Sequence, residues 1–472
     1  MRLLEIILVA LLSIHFIGLF VRIFNQKSRK WFLLFTLLLF IFHLLIEGYR
    51  WQMIPSYLVM FSLILIYFYR RKIKKTLSIV RNTILLFLVS LSIFLSFSLP
   101  VLQFKNLNSK YPVGIKSYQL IDKKRAEILT EKPDDFRELS IRVYYPTPLN
   151  HKETYPYIPN FEVIRHTYQK KLGWPSFLLD YLKLFTIDAM ENAPQFENDL
   201  FPLIFYSHGL TNNYNEASGR LMNIASKGYV VVAINHSYSS DFAILSNKEV
   251  VGYMALSQLG DPIEKIDSVK TIIANQWLND VSFVKEYLTD KQLSKNIDFE
   301  NIGLMGFSAG GTMATLGSHK LDNIKAAINL DGTPRGMLET DISKSPILAI
   351  FSQPLTFTDA QINAWGITRE TVEAPKKLIQ KRSMKVLNSA PEASYVITFP
   401  KTKHSNFIEY PLISPLSKYL DIGGNIDSKK SYEYLNNIIV AFLDQNLKNS
   451  EEAHLKKILK TGVQEFNLVI QE

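Results

Sequence analysis

The chain has 472 residues, of which 47% are apolar and 20% charged, so it is long enough for more than one domain and apolar enough to fold. It contains no cysteine, which excludes a disulfide framework, a thiolate metal site and a cysteine nucleophile. The net charge of +10 would suit a nucleic-acid partner, but residues 1–110 hold 14 Lys and Arg against 2 Asp and Glu. Because the whole excess lies beside apolar segments, we interpret it as a membrane-topology signal and expect no nucleic-acid partner.

Four apolar segments predict an all-α transmembrane bundle of about four helices over residues 1–102. A transmembrane helix needs roughly 17–25 such residues, and a cleaved signal peptide has a single apolar segment. The four segments lie at 3–24, 31–46, 54–69 and 83–100. We therefore expect an integral membrane protein whose first partner is the lipid bilayer.

The linkers between these segments predict the orientation. Residues 25–30 and 70–82 are rich in Lys and Arg, whereas the linker at 47–50 is nearly neutral. The positive-inside rule places both basic linkers in the cytoplasm, and four spans then put both termini on the other side. We expect a bacterial cell membrane with the large C-terminal part outside the cytoplasm, and no pattern indicates an oligomeric state.

After residue 110, short β-branched runs alternate with helical ones. This alternation, with strands that read as nearly continuous apolar runs, predicts a mostly parallel sheet with helices on both faces. The main predicted helices cover 264–289 and 431–447. The predicted strands lie at 139–146, 201–209, 228–236, 301–308, 324–332, 345–353 and 393–400.

The expected domain organisation follows from these patterns. Residues 161–185 mix Phe, Leu and Trp with lysines, which suits either an interfacial helix or lid that meets lipid, or a helix packed on the sheet. We assign a lid-like segment to 154–195. The remaining boundaries are an anchor at 1–102, a linker at 103–110, an α/β domain at 111–450 and a C-terminal tail at 451–472.

A candidate nucleophile lies in "NIGLMGFSAGG", where Gly306, Ser308 and Gly310 form the pattern G-x-S-x-G. A predicted strand precedes it and a helix-compatible run follows, which is the context that a nucleophile elbow requires. The start of the helix adds positive potential where an oxyanion would form. A tight turn without chemistry is the alternative.

A serine nucleophile needs a base, and the base needs an orienting carboxylate. In a nucleophile-elbow fold the acid and then the histidine follow the serine along the chain. Of the three later histidines, His404 follows the last predicted strand, whereas His319 lies in the helix after the serine and His454 in a charged tail. We therefore predict His404 as the base.

Asp331 is the candidate acid because it ends the strand that follows the serine, in "INLDG". The carboxyl ends of parallel strands face the site in such sheets. Asp322 and Asp359 are weaker candidates, since neither directly ends an apolar strand.

The oxyanion hole needs two backbone N–H groups, one of which comes from the residue after the nucleophile, Ala309. The loop "FYSHGLTNN" fits the second donor, and we predict the Leu210 N–H. His208 would hold that loop by hydrogen bonds, and His236 would either line the pocket or pack beneath it.

Together these residues resemble the platelet-activating factor acetylhydrolase family of α/β-hydrolases. The resemblance covers residues 111–447 and depends on the order and spacing of several short motifs. They are "YPVGIKSYQLID", "RELSIRVYYP", "YIPN", "FPLIFYSHGL", "GYVVVAINH", "GFSAGG", "NLDG", "KHSNF" and "AFLDQNL".

The resemblance implies an α/β-hydrolase fold and a calcium-independent serine hydrolase of esters, typically phospholipids with short or oxidised acyl groups. It assigns Ser308, Asp331 and His404 as the triad, with Leu210 and Ala309 in the hole, and implies no metal or organic cofactor. The membrane bundle lies outside the family pattern. Two alternatives remain open: an acyltransferase with the same triad, and a non-catalytic membrane sensor or scaffold with a hydrolase fold.

Overall fold

The chain divides into two compact units. The computed structural model describes residues 1–21, 26–69, 75–105, 109–132, 135–150, 153–173, 175–256, 263–290, 292–337, 341–353 and 368–471. The N-terminal unit comprises Met1–Leu102, Phe161–Phe185 and Leu412–Ser417. The sheet unit comprises Gln103–Asn160, Thr186–Pro411 and Lys418–Glu472.

Four apolar helices make up most of the N-terminal unit. Among the described residues, three segments are long and apolar enough to cross a membrane, namely Lys27–Ile46, Trp51–Phe68 and Thr76–Ser98, and Leu3–His15 is a shorter apolar helical segment. The expectation of about four spans thus meets three described helices of sufficient length and a first helix, of which a shorter apolar segment is described. The helices are α1 (Leu3–Val21), α2 (Gln26–Ile46), α3 (Ile54–Phe68) and α4 (Lys75–Ser98).

Charged side chains lie at one end of this bundle, which the sequence patterns did not predict. Arg50 Nη1 lies 3.0 Å from Glu5 Oε2, and both side chains are fully buried. Arg50 Nη2 also donates to the carbonyl of Leu99 at 2.6 Å, just after α4. This ion pair joins α1, the connection before α3 and the end of α4, so it fixes their register.

The central part of the predicted lid-like segment belongs to the N-terminal unit. It forms helices α5 (Phe161–Leu172) and α6 (Ser176–Leu179). The Trp51 indole N–H donates to the carbonyl of Leu178 at 3.0 Å, and Tyr181 and Phe185 are buried. These residues therefore pack with the N-terminal helices, which the sequence did not indicate.

Ten described strands form one sheet in the sheet unit. Its spatial order is β10-β9-β8-β7-β6-β4-β5-β2-β1-β3, and the six strands from β9 to β5 run parallel. All seven predicted strands are confirmed, as β2 and β4 to β9. The strands are β1 (Val113–Ala126), β2 (Phe136–Pro146), β3 (Met190–Glu191), β4 (Phe201–Ser207), β5 (Val230–His236), β6 (Ile297–Phe307), β7 (Ile324–Leu330), β8 (Ile347–Ser352), β9 (Tyr395–Phe399) and β10 (Val469–Gln471).

Helices cover both faces of this sheet. Gly303 and Leu304 are neighbours in β6, so they face opposite sides. A Cβ at Gly303 would lie 3.3 Å from Leu447, whereas Leu304 contacts Gly317 on the other face. The remaining α-helices in the described residues are α7 (Ser218–Ser226), α8 (Ile263–Thr289), α9 (Ala309–Lys320), α10 (Arg369–Ser389), α11 (Ser428–Leu447) and α12 (Glu452–Phe466). The two-sided α/β architecture expected from the sequence is confirmed, with α11 on one face and α9 on the other.

The structure differs from the expected C-terminal tail. Residues 452–466 form α12, and β10 pairs antiparallel with β9 at the edge of the sheet. Leu455 and Leu459 are buried, one helical turn apart, so α12 has an apolar stripe that packs beside α11. Many charged residues on the other faces of α12 mask this stripe in the sequence.

Candidate active site

Ser308 lies between the end of β6 and the start of α9. Its backbone adopts φ 53° and ψ −113°, a region that favours glycine and that costs a non-glycine residue about 1–3 kcal/mol. The Ser308 N–H donates to the Leu330 carbonyl at 2.8 Å, and its own carbonyl accepts from Thr312 N–H at 3.0 Å. These bonds hold the strained turn, and the hydroxyl stands at the N-terminus of a helix.

The glycines on either side of the serine are required by close backbone approaches. A Cβ at Gly306 would collide with the backbone of Gly310, and a Cβ at Gly310 would collide with the Ser207 carbonyl. The two glycines of the pattern are therefore required by the close packing of β4, β6 and α9. A tight turn alone would not need both glycines.

Asp331 and His404 meet at the carboxyl edge of the sheet. Asp331 directly follows β7, and His404 begins a short 3-10 turn after β9. The distance from His404 Nδ1 to Asp331 Oδ2 is 2.7 Å, while Asp331 Oδ1 accepts from Ser352 N–H at 2.8 Å. The His404 side chain is 53% exposed and that of Asp331 only 10%, so the imidazole faces solvent and the carboxylate supports it.

Two asparagines that the sequence analysis did not single out shape the loops of this pair. Asn329 Oδ1 accepts from Gly332 N–H at 2.7 Å, which closes the turn around Asp331. Asn406 Oδ1 accepts from the N–H groups of Lys403 at 2.8 Å and Gly424 at 2.7 Å. No local signal marks these residues, because their partners are backbone groups brought close by the fold.

The imidazole also packs beside the nucleophile turn. The ring centroids of His404 and Phe307 are 4.5 Å apart, and Phe307 immediately precedes Ser308. Among the described residues, the Ser308 hydroxyl makes no hydrogen bond to His404. Catalytic hydrogen bonds are often long or poorly aligned before substrate binds, so the lack of this bond does not exclude a nucleophile–base pair.

The two predicted oxyanion donors flank one backbone contact. Gly310 N–H donates to the His208 carbonyl at 3.2 Å, which ties the start of α9 to the loop after β4. Ala309 immediately precedes Gly310, and Leu210 lies two residues after His208. In the described part of the chain, neither the Leu210 N–H nor the Ala309 N–H donates to a protein acceptor, so both can serve a ligand.

His208 and His236 are fully buried beneath this loop. His208 Nδ1 lies 2.7 Å from the Gly209 carbonyl, so the expected structural role in the loop is confirmed. His236 lies between Asp280 and Ser207 at hydrogen-bond distance and stacks on Trp277, so of the two expected roles it has the packing one.

Glu216 is a buried carboxyl next to the same loop. Its Oε1 accepts from Gly209 N–H at 2.9 Å and from Tyr206 O–H at 2.7 Å. Burial raises the pKa of Glu216 to about 8, although these hydrogen bonds favour the carboxylate. The loop that carries Leu210 is therefore held from two sides by ionisable residues, Glu216 and His208.

The weaker candidates from the sequence lie elsewhere. His319 is buried in α9 and bonds the Thr315 carbonyl, whereas His454 is exposed on α12. Asp322 pairs with Lys344 at the surface. Asp359 lies outside the described residues, and so do residues 70–74 of the second basic linker. Within the described ranges, no group of three or more His, Asp or Glu side chains is arranged to hold a metal.

Known proteins resemble the chain over most of its length. Three mammalian platelet-activating factor acetylhydrolases match it: the dog protein at 24% identity over 336 residues, the guinea pig protein at 24% over 335 and the cattle protein at 25% over 336. Each alignment covers 65% of this chain, and it covers 71%, 72% and 71% of the three relatives.

A solved structure, a ferulic acid esterase from Streptomyces cinnamoneus, superimposes with a TM-score of 0.59 at 19% identity. The superposition covers 79% of this chain and 99% of the esterase, so the α/β-hydrolase fold is shared. The family profile described as platelet-activating factor acetylhydrolase, isoform II, matches residues 98–253 and 257–465. The chain therefore belongs to the platelet-activating factor acetylhydrolase isoform II family of ester-hydrolysing serine hydrolases.

Proposed function

We propose that this chain is a membrane-anchored serine ester hydrolase in which Ser308 is the nucleophile and His404 the base. Asp331 orients the imidazole, and the N–H groups of Leu210 and Ala309 form the oxyanion hole. The observation that carries the proposal is the 2.7 Å contact between His404 Nδ1 and Asp331 Oδ2 beside the strained Ser308 turn. A strained serine at a helix N-terminus and a solvent-facing His–Asp pair are the parts that acyl transfer requires.

The geometry supports the following sequence of steps. His404 Nδ1–H donates to Asp331, which leaves Nε2 to take the proton from the Ser308 hydroxyl as its oxygen attacks the ester carbonyl. The two backbone N–H groups stabilise the tetrahedral oxyanion, and losing one such donor typically costs about 2.7–4 kcal/mol. His404 then gives the proton to the departing alcohol, and the acyl group remains on Ser308.

The second half of the cycle repeats these roles with water. His404 takes a proton from water, the hydroxide attacks the acyl-serine, and the oxyanion forms in the same hole. Its collapse breaks the bond to Ser308 Oγ, which recovers its proton from His404, and the free acid leaves.

The proposed substrates are esters with short acyl groups, including lipid esters. The support is membership of a family named for an acetylhydrolase, together with a His404 side chain that is half exposed. An exposed base suits a site that takes its ester from a large or lipid-embedded molecule.

Membrane anchoring is supported by the N-terminal helices. Besides three helices of sufficient length, large aromatic side chains on them are left exposed, as expected of a lipid-facing surface. They include Phe35 at 56%, Phe61 at 59%, Phe87 at 63% and Phe94 at 56% exposure. We propose residues 1–102 as the anchor and the sheet unit, which extends through α12 and β10, as the catalytic domain. This domain faces away from the cytoplasm because the linkers at 25–30 and 70–82 are basic.

The absence of native cysteine makes this orientation directly testable. Single-cysteine variants Ser450→Cys and Thr76→Cys would be treated with a membrane-impermeant maleimide on intact cells. Labelling of Ser450→Cys alone is expected, and labelling of Thr76→Cys alone would reverse the proposed orientation.

The activity itself is tested with the full chain in detergent against a panel of short-chain, long-chain and phospholipid esters. Ser308→Ala is the control, and hydrolysis is expected from the wild type only. Products would also be analysed with an added alcohol acceptor. Transfer to the acceptor in preference to water would indicate an acyltransferase, and no turnover by folded wild-type protein would support the scaffold alternative.

A further inference from the structure

We propose that His208 is a positioning residue for the reaction, which aims the Leu210 N–H at the developing oxyanion. It acts through the carbonyl group of Gly209, on the loop after β4. The inference rests on the proposed function, because it assigns a role within the same oxyanion hole.

The geometry of one peptide unit carries the argument. The Gly209 carbonyl and the Leu210 N–H belong to the same planar trans peptide, so they point in opposite directions. His208 Nδ1 lies 2.7 Å from the Gly209 oxygen, and Asn212 N–H donates to the same oxygen at 3.0 Å. Holding the oxygen therefore fixes the direction of the Leu210 N–H.

The tautomer of His208 follows from its second nitrogen. The backbone N–H of His236 donates to His208 Nε2 at 3.1 Å. A backbone N–H can only donate, so Nε2 is unprotonated and the proton of the neutral ring is on Nδ1. Nδ1–H is then the donor to the Gly209 oxygen, and rotation of the ring would lose both bonds.

Asp280, Ser207 and Trp277 surround His236 and form with it a buried array. The backbone N–H of His236 in turn holds His208. His236 Nδ1 lies 2.7 Å from Asp280 Oδ2, and His236 Nε2 lies 2.9 Å from Ser207 Oγ. Trp277 stacks on the His236 ring at 4.1 Å and 4°, and its centroid is 5.2 Å from that of His208. Ser207, His236 and Asp280 are hydrogen-bonded in the same order as the serine, histidine and aspartate of a catalytic triad. All members of the array are fully buried, however, so its role is to support the loop after β4.

The array is also anchored to the sheet by charge. Arg137 donates to both carboxylate oxygens of Asp280, at 3.1 and 2.7 Å, and to the Ser237 carbonyl at 2.9 Å. Arg137 comes from β2 and Asp280 from α8, so the support of the oxyanion loop is built from elements on which no catalytic residue lies.

The same support fixes the loop relative to the nucleophile. The His208 carbonyl accepts from Gly310 N–H, one residue beyond Ala309. The backbone of His208 thus binds the start of α9 while its side chain sets the Leu210 peptide. One residue keeps the two oxyanion donors at a constant separation.

Two substitutions separate the two bonds of the imidazole. The amide of His208→Asn can place a donor where Nδ1–H now lies, so it keeps the bond to Gly209. The longer amide of His208→Gln can accept from His236 N–H but cannot donate to Gly209. Because loss of a whole oxyanion donor costs about 10²–10³ in kcat, a misdirected donor in His208→Gln is expected to cost roughly 10–100-fold, with KM little changed.

The readout compares para-nitrophenyl acetate with its thiono analogue, in which sulfur replaces the carbonyl oxygen. Sulfur fits and bonds poorly in an oxyanion hole, so the oxygen-to-sulfur rate ratio reports the hole itself. A general loss of structure lowers both rates together. The full chain would be assayed, with thermal unfolding measured for each variant.

The proposal expects a large rate ratio in the wild type and in His208→Asn, and a much smaller one in His208→Gln. An unchanged ratio in His208→Gln would overturn it. If that variant does not fold, a ratio in His208→Asn that differs from the wild type would overturn it instead. A wild type that hydrolyses neither ester would contradict the proposed function, whereas a failure confined to the ratio would contradict the role of His208 alone.

Discussion

Two aspartate–histidine pairs in the sheet unit share one geometry and differ in their surroundings. The Nδ1–Oδ2 distance is 2.7 Å both in His404–Asp331 and in His236–Asp280. The His404 side chain is 53% exposed, whereas His236 and Asp280 are fully buried. Hydrogen-bond geometry alone therefore does not identify a catalytic pair, and access to solvent at the carboxyl edge of the sheet is what separates them.

The charge balance of the buried pair also differs. Burial opposes ionisation of Asp280, but the Arg137 guanidinium and the His236 hydrogen bond outweigh it and hold the pKa of Asp280 well below its usual range. Burial lowers the pKa of His236 to about 4, although Asp280 favours the charged imidazole. The buried pair is thus an aspartate with a neutral histidine at neutral pH, which suits support rather than proton transfer.

The largest expected effect comes from the exposed pair. Asp331→Asn keeps the size of the side chain but removes the charge and favours the wrong imidazole tautomer, so kcat should fall by about 10³–10⁴-fold. Ester hydrolysis by the full chain measures it, with thermal unfolding as a check that the fold is intact. Activity close to that of the wild type would assign the acid to another residue.

The equivalent change in the buried pair should act on stability. Asp280→Asn removes one of two carboxylate partners of the buried Arg137, the other being Glu127, so the loss should approach but not exceed the roughly 3–5 kcal/mol of a fully broken buried pair. The midpoint of urea unfolding should fall clearly. A variant as stable as the wild type would show that the two pairs do not differ in the way described.

Glu216, which is buried beside the loop after β4, provides a test through the pH dependence of stability. Its folded pKa of about 8 lies above the unfolded value of 4.5, so the folded state binds more protons between these values and stability falls as pH rises from 5 to 8. Glu216→Gln lacks this titration, so its unfolding free energy relative to the wild type should rise by roughly 3–4 kcal/mol over that range.

The difference between the two proteins isolates Glu216, because His236 titrates in both. Thermal unfolding at pH 5 and pH 8 measures it. Parallel pH curves for the wild type and Glu216→Gln would show that the carboxyl is ionised throughout.

The smallest expected effect is that of Ser207→Ala, with Ser308→Ala as the contrasting variant. Ser207→Ala removes one hydrogen bond to His236 and should lower stability by about 1 kcal/mol, with little loss of activity. Ser308→Ala should abolish activity with stability unchanged or improved, since it removes the nucleophile. Loss of activity in Ser207→Ala at full stability would instead give the buried array a direct part in the chemistry.

The sequence predicts the parallel part of the fold well, because each buried strand reads as a short apolar run bounded by turns. The edge strands were harder to predict. Strand β1 has exposed polar residues such as Lys116 and Lys123, so it lacks the apolar run of a central strand. Helix α12 is amphipathic but highly charged, and its contacts with α11 and with Phe399 of β9 show that it is part of the core.

The residues proposed for the catalytic triad could be selected from the sequence because each has a defined residue type and a defined position after a strand. Ser308, Asp331 and His404 follow strands in the expected order, and the structure brings Asp331 and His404 into contact. The supporting residues were not predictable in the same way. Asp280 lies in the middle of α8, Asn329 inside β7 and Glu216 in a turn, and their partners come from distant parts of the chain. Such pairings depend on the tertiary fold.

The most direct test of the account is to locate the reactive serine. The full chain in native membranes would be treated with a fluorophosphonate probe, beside Ser308→Ala and Ser207→Ala, and the adduct located by mass spectrometry. The account predicts an adduct on Ser308 in the wild type and in Ser207→Ala, and none in Ser308→Ala. Folded wild-type protein that remains unlabelled, or an adduct that persists in Ser308→Ala, would contradict the central claim that Ser308 is an activated nucleophile.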